Sequence, residues 1–558
     1  MDGIVSLVFA ITGHRDLIAT SVDSYREEIG RIFKKFRKLC PHTPLLLLSG
    51  LAEGADRIAA RAARDAQIPY VAVLPMAVDL YRKDFTEKES LEEFEILWQG
   101  AARRIEMPLA PGCTLEQIGK PGDARNLQYR EQGRFLVQYS QILIAIWDDQ
   151  IGQMGGTSDV VMMKLGREAT PSPQALPNPG FGGLGPVFVL PAHRASAPIG
   201  KIPALKCDER YPTALNQVDC KSGYLRLDKY NADVAGASED SPAVRKSRRN
   251  LFEGEEAIDL SQAMEWVAGV YSSADSMAIH FARVSLWLWQ AIFALLAISG
   301  VALAWVHVLK GGHPVLVGYY VCLVLAFVLI MGDRKLQMRG RHEDYRALAE
   351  ALRVQFFWMA AGLPDVASDQ YMLKRSGEMT WIRNAISQCG LYGGTLQSNP
   401  IGSSELAIRL RLAHKWVEGQ ANYFFQRQHG HERKKRYFTY LARVCGLVGL
   451  VAPIYGWVRR EPVELQSHAV AAIALWWGAL IWNYLERRGF EQEAREYSRM
   501  YELFHRADKE LQEFEIGKNL AGSVETIRDL GREALEENGS WLGTHRERQL
   551  SPHHAVGG

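Results

Sequence analysis

Apolar positions fall into two patterns along this chain. In the first third they come as short runs, each closed by a small-residue turn and followed by a helical period. Ser6–Thr12, Leu45–Leu48, Tyr70–Leu74, Ile142–Trp147 and Pro186–Leu190 are too continuous for one-sided strands, and predict strands buried on both faces. Helical spacing lies between them at Ser24–Leu39, Ala52–Ala66, Glu87–Arg104 and Arg125–Ser140. Alternation of this kind predicts an α/β domain with a Rossmann-like, doubly wound parallel sheet. Ligands of such sheets bind at the carboxyl ends of the strands.

Past residue 280 the runs lengthen to bilayer dimensions, predicting spans at 285–308, 315–331, 438–458 and 468–485. Short polar loops such as Lys310-Gly311-Gly312-His313-Pro314 join them, so an all-α membrane region of two transmembrane hairpins is expected. Basic clusters at Arg334-Lys335, Arg433-Lys434-Lys435-Arg436 and Arg487-Arg488 flank the spans. The positive-inside rule then places both termini and the middle connector in the cytoplasm. One constant shift pairs Tyr271 with Tyr423, Trp287 with Thr439 and Tyr345 with Tyr497, which reads as an internal duplication. Each hairpin is followed by an amphipathic cytoplasmic helix, 342–359 and 491–514. Their stripes (Tyr345, Leu348, Ala349, Leu352 and Phe356; Tyr497, Met500, Tyr501, Phe504 and Leu511) predict packing faces.

The chain therefore divides into an α/β domain at 1–195 and a flexible linker at 196–264, where Pro, Gly, Ser and charge are frequent. A first repeat at 265–362, a cytoplasmic connector at 363–415 and a second repeat at 416–550 complete it.

Composition narrows the partners. With 65 basic and 63 acidic residues the formal charge is +2, which argues against a dedicated nucleic-acid binder, so no nucleic acid is expected. Seven scattered cysteines form no Cys-x-x-Cys pair, so neither disulfides nor a metal are expected, and no cofactor is read. Met1–Thr12 reads as a strand with no basic lead rather than a cleavable signal.

Three turns carry the candidate chemistry: Thr12-Gly13-His14-Arg15, the stretch from Ser49 to Asp56, and Gly155-Gly156-Thr157. A strand, a small-residue turn and a helix start direct backbone N–H groups and a partial positive charge at a phosphate. Gly50 and Gly54 would let a ligand approach the backbone, while Glu53 and Asp56 would accept from ribose hydroxyls. The candidate ligand-binding set is thus Thr12, Gly13, His14, Arg15, Ser49, Gly50, Glu53, Gly54, Asp56, Gly155, Gly156 and Thr157. No catalytic residue is assigned.

In that order the three motifs, with Ile11 before the first, resemble the SLOG superfamily of Rossmann-like nucleotide binders over about the first 195 residues. The resemblance implies a nucleotide-derived small-molecule ligand. The Lonely Guy phosphoribohydrolases of that group carry a catalytic Glu three residues after the Thr, where this chain has Val160. A sensing role is therefore implied, with a membrane-tethered hydrolase using Glu53 or Asp56 with Arg15 as the alternative. Asp344 to Arg353 with Phe357-Trp358 and Gly362 resembles the SLATT family of two-span modules in bacterial conflict systems, as does the tail from Gly531 through Trp541 to Arg548. That resemblance implies an effector that perturbs the bacterial inner membrane as a pore, in anti-phage defence. Four spans with no strongly polar face cannot enclose a water-filled path alone, so a homo-oligomer in the lipid bilayer is expected.

Overall fold

A computed structural model of the chain describes residues 3–167, 184–196, 205–237, 241–252, 260–308, 312–371, 379–392, 402–459 and 463–550. The first part of the chain builds β1 (Leu7–Gly13), α1 (Val22–Leu39), β2 (Leu45–Ser49), α2 (Ala55–Asp65), β3 (Tyr70–Leu74), α3 (Lys88–Gly100) and β4 (Arg103–Glu106). It continues with α4 (Asp123–Tyr139), β5 (Ile142–Trp147), α5 (Thr157–Leu165), β6 (Val187–Pro191) and β7 (Asp208–Arg210). The strands form one sheet in the order β4-β3-β2-β1-β5-β6-β7. Every neighbouring pair is parallel except β6 and β7, which are antiparallel. Phe9, Leu47 and Ile144 pack on α1 and α2 on one face; Val8, Leu48 and Leu143 pack on α4 and α5 on the other. The expected doubly wound sheet is present, and its all-apolar strands are those with helices on both sides.

Two strands were not anticipated. Arg103 and Arg104, expected to end a helix, lie in β4 instead, because α3 stops at Gly100 and the chain pairs with β3 as Val71↔Arg103 and Leu74↔Glu106. β7 falls inside the expected linker 196–264. That segment also holds α6 (Gln217–Ala235) and α7 (Pro242–Leu251), so its described part is docked structure rather than flexible tether. The Asn231 side chain explains the docking: its carbonyl accepts from the Val5 N–H at 3.0 Å and its amide donates to the Val5 C=O at 2.8 Å. Tyr230 is fully buried beside it, and its hydroxyl donates to the Gly3 C=O at 2.9 Å.

The helical region comprises α8 (Gln262–Val308), α9 (His313–Leu336), α10 (Met338–Ala360), α11 (Thr380–Ser387), α12 (Ser403–Arg459), α13 (Val463–Arg488), α14 (Phe490–Ile516) and α15 (Leu520–Leu550). Four helical stretches, Gln262–Val306, His313–Ala360, Ser403–Arg459 and Val463–Ile516, are each long and apolar enough to cross a membrane. Trp305, Val324, Phe327, Leu450, Trp457 and Trp482 project from them uncovered, apolar surface that water would penalise. This is a membrane protein by that measure. Small residues set the helix spacing: Gly449 faces Leu475, Gly456 faces Ser467 and Gly478 faces Cys445 across α12 and α13. The Trp476 indole joins α13 to α8 by donating to the Leu296 C=O at 2.9 Å.

α8 has 47 residues, about 70 Å at 1.5 Å per residue, so one rod serves two environments. Its first half, with Trp266, Val267 and Tyr271, is buried in the core shared with the sheet, and its second half carries the apolar stretch. The stripe of α10 is buried throughout (Tyr345, Leu348, Ala349, Leu352 and Phe356), and Phe504 and Leu511 of α14 are buried likewise. Both amphipathic helices are packing elements, as their stripes predict.

Candidate ligand site at the carboxyl edge of the sheet

β1 is the centre of the sheet: the chain runs outward from it through β2 and β3 to β4 on one side, then crosses back to β5 on the other. At such a switch point the loops diverge and open a crevice above the carboxyl ends. All three candidate turns lie at this edge. The Ala55 N–H donates to the His14 C=O at 3.2 Å, which ties the β2 turn to the β1 turn. Arg15 extends across to α4, donating to the Tyr129 hydroxyl at 3.0 Å. Gly155 closes the constellation from the third side: a Cβ there would stand 3.0 Å from the Tyr129 Cβ and 2.5 Å from the Asn126 C=O.

The glycines act differently from the expectation. A side chain on Gly50 would meet Gln132 Nε2 at 2.5 Å and Asp56 Oδ2 at 2.7 Å, and one on Gly54 would meet the His14 C=O at 2.5 Å. The close approach they permit is that of the protein's own groups, and Gly54, at φ 75°, also supplies the left-handed turn. Ser49 is fully buried, and its hydroxyl accepts from the Leu51 N–H at 3.2 Å and donates to the Asp56 C=O at 3.0 Å. It braces the turn and offers nothing to a ligand. Thr12 is buried in β1. Glu53 accepts from the Ser90 hydroxyl at the start of α3, so one of its oxygens already has a protein partner.

What remains open is concentrated on the β1 and β5 side. His14 Nε2 lies 3.0 Å from Asp148 Oδ1, directly after β5. Arg194, after β6, donates to Asp148 Oδ2 at 3.2 Å and to Asp16 at 3.0 Å. Burial alone would raise the Asp148 carboxyl, but the Gln150 N–H, Arg194 and His14 together hold it below the usual carboxylate range. At the mouth, the Tyr129 hydroxyl donates to Asp84 at 2.6 Å, and Arg125 pairs with the same carboxylate. Arg15, the candidate that remains exposed to solvent, sits over this group. Sequence reading missed Asp148, Arg194, Tyr129, Arg125 and Asp84. The position of Asp148, just beyond an apolar strand, was the available signal.

No family model matches the chain, and no curated protein or solved structure matches it.

Asp56 is the group with unusual acidity. Burial pushes its carboxyl up to about 7, against the pull of the Ala52 N–H, Arg15 and Arg57. It therefore exists in both forms near neutral pH. The third turn presents the first N–H groups of α5. Gly155 donates to Asp159 Oδ2 at 2.9 Å, so one donor is taken internally, and Asp159 is in turn held by Arg130 at 3.2 Å. The N–H groups of the first turn of any helix have no acceptor within it, and in α5 the N-cap side supplies no side-chain acceptor for them. Val160 points the other way, buried against Gly133 of α4, so that position belongs to the core. Among the described residues no three His, Cys, Asp or Glu side chains gather as a metal site.

Proposed function

We propose that this protein is a membrane-bound sensor–effector in which a nucleotide-derived anion occupies the crevice and alters the state of the membrane helices. The observation that carries the reading is the meeting of Arg15, the α5 N-terminus and a protonatable Asp56 at a switch point, on a chain with four membrane-length helices. Arg15 and the free N–H groups would take the phosphate, and Asp56 the sugar or base edge. The resemblance to SLOG sensors and SLATT effectors supports the same reading, and extends it to two hairpins in a bacterial inner membrane, termini in the cytoplasm, acting as a homo-oligomer in anti-phage defence.

α4 offers a route for the signal. Tyr129 and Arg130 line the crevice, while at the other end Gln138 donates to Asp369 at 3.2 Å and Tyr139 packs on Gly390. β1 is anchored at its far end too, where the Gln388 amide brackets the Ser6 backbone, accepting at 3.1 Å and donating at 2.6 Å. A ligand that prefers one position of α4 would bias the helices through these contacts.

The test is ion leakage from liposomes carrying the full chain, with a panel of nucleotides, for parent and Gly156→Asp. Gly156 has extended backbone at the N-cap of α5, where Asp is a good cap, although its Cβ would stand 3.0 Å from the Gln153 C=O and the loop must give by a few tenths of an ångström. Its carboxylate would occupy the N–H groups that a phosphate needs. Leakage that responds to a nucleotide in the parent and vanishes in the variant is the expected result; an unchanged response removes the crevice as sensor. The hydrolase alternative draws on the near-neutral Asp56 carboxyl. It gains only if the purified chain consumes the nucleotide over many turnovers.

A further inference from the structure

A cavity of about 490 Å³ lies between α8, α9 and α13. Two contacts fix its orientation. Arg487 lies 3.4 Å over the Trp289 ring at one end, and Trp476 is bonded to the Leu296 C=O at the other. Asp333, Arg334 and Arg487 line the first end, and Ile292, Leu296 and Leu480 line the wall beyond. The cavity is thus polar where the apolar stretches of α9 and α13 finish, and apolar where they run. That level is a membrane interface, the place where an indole such as Trp289 is favoured.

The polar end carries excess positive charge. Arg339, Asp333 and Arg334 are the charged groups whose fields reach Arg487. Arg339 is held by Glu343 at 2.9 Å, which leaves Arg334 and Arg487 against the single carboxylate of Asp333. Among the described residues neither of those two arginines has a carboxylate within ion-pair distance. The Trp289 side chain hydrogen-bonds to the Asp333 carboxyl, and by strict geometry its Oδ1 is buried without a partner.

We infer that this cavity is a binding site for one anionic phospholipid, its phosphate between Arg334 and Arg487 and the upper part of an acyl chain along Ile292, Leu296 and Leu480. Basic pockets between membrane helices favour such headgroups, and the volume lies in the range of small-molecule sites. A zwitterionic lipid would bring its own cation against two guanidiniums. Free phosphate or a nucleotide would leave the apolar wall unfilled. The inference rests on membrane insertion alone and stands whether or not the crevice takes a nucleotide.

Native mass spectrometry of the delipidated full chain in detergent tests it, by titration with phosphatidylglycerol and phosphatidylcholine. The parent should hold phosphatidylglycerol at least about tenfold more tightly, and millimolar inorganic phosphate should not displace it. Replacing both Arg334→Gln and Arg487→Gln should reduce phosphatidylglycerol to the level of phosphatidylcholine. Leu480→Trp, which fills the wall and leaves the charges, should weaken both lipids. Equal binding of the two lipids by the parent overturns the site without recourse to any variant. A preference that survives in the double arginine variant, or displacement by inorganic phosphate, overturns it as well.

Discussion

Gln337 and Gly489 occupy equivalent left-handed turns in the two halves of the helical region, at φ 50° and φ 60°. Each separates a membrane-length helix from an amphipathic one, α9 from α10 and α13 from α14. They are related by the same shift that pairs Tyr345 with Tyr497, so the duplication read in the sequence has a matching break in the backbone.

The two turns differ in cost. A left-handed conformation costs an L-residue roughly 1–2 kcal/mol, and glycine avoids it at some expense in chain entropy. Gly489→Ala should therefore lower stability by about 1 kcal/mol, while Gln337→Gly should leave it unchanged or raise it slightly. Thermal melting of the full chain in detergent reads both; a neutral Gly489→Ala contradicts the strain argument.

Asp56 predicts how binding depends on pH. Its folded carboxyl titrates at about 7 because burial disfavours the charge, whereas an unfolded aspartate ionises near 3.8. Stability from this group is therefore lost as pH rises from about 4 to 7, and is level above. An anionic ligand prefers the neutral form, so affinity should fall between pH 6.5 and pH 8, by at most about tenfold per unit. Asp56→Asn keeps an acceptor for the Ala52 N–H and should remove the slope. Calorimetric titration at several pH values would expose a parent and variant with the same slope, which would sink this assignment.

Lys164 has the opposite sign. It is fully buried, its ammonium donates to the Val137 and Ser140 carbonyls at 3.1 and 2.6 Å, and burial lowers it to about 7. Those carbonyls lie at the C-terminal end of α4, where acceptors lack intrahelical partners. Between pH 7 and 10.5 the unfolded chain keeps a proton that the folded chain has released, so stability rises with pH across that window. Lys164→Met should cost about 1–3 kcal/mol through the stranded carbonyls and flatten the rise. Melting temperatures at pH 7 and pH 9 give the comparison. A variant that still gains stability over that interval, as the parent does, refutes it.

Coupling is testable at the far end of α4. A Cβ on Gly390 would meet the Tyr139 ring at 2.5 Å, so Gly390→Ala must shift either α4 or the segment after α11. Ligand-dependent leakage should change several-fold and nucleotide affinity should move with it, because a ligand that prefers one position of α4 feels a shift of that equilibrium. Leakage and affinity both equal to the parent's would mean that the signal takes another path.

The sequence by itself determined the elements whose signal is local. Five of the strands are runs of apolar residues that have no alternative but burial on both faces, and the four membrane-length stretches follow from length and hydropathy alone. The order of the three turns also follows, because each is a strand end followed by a helix start. Tertiary structure decided whatever depends on a partner distant in the chain. β4, with Arg103 and Arg104, becomes a strand only because β3 presents an unpaired edge, and α6 docks through Asn231 because the Val5 backbone just before β1 lies outside the sheet ladder. Gly50 and Gly54 looked like room for a ligand, yet Gln132 and the His14 carbonyl arrive from elsewhere to use it. Asp148 and Tyr129 complete the crevice for the same reason. A polar side chain gains its role from the hydrogen-bond partner it meets, and that meeting is set by the crossing of β1, α4 and β5 rather than by its neighbours in sequence.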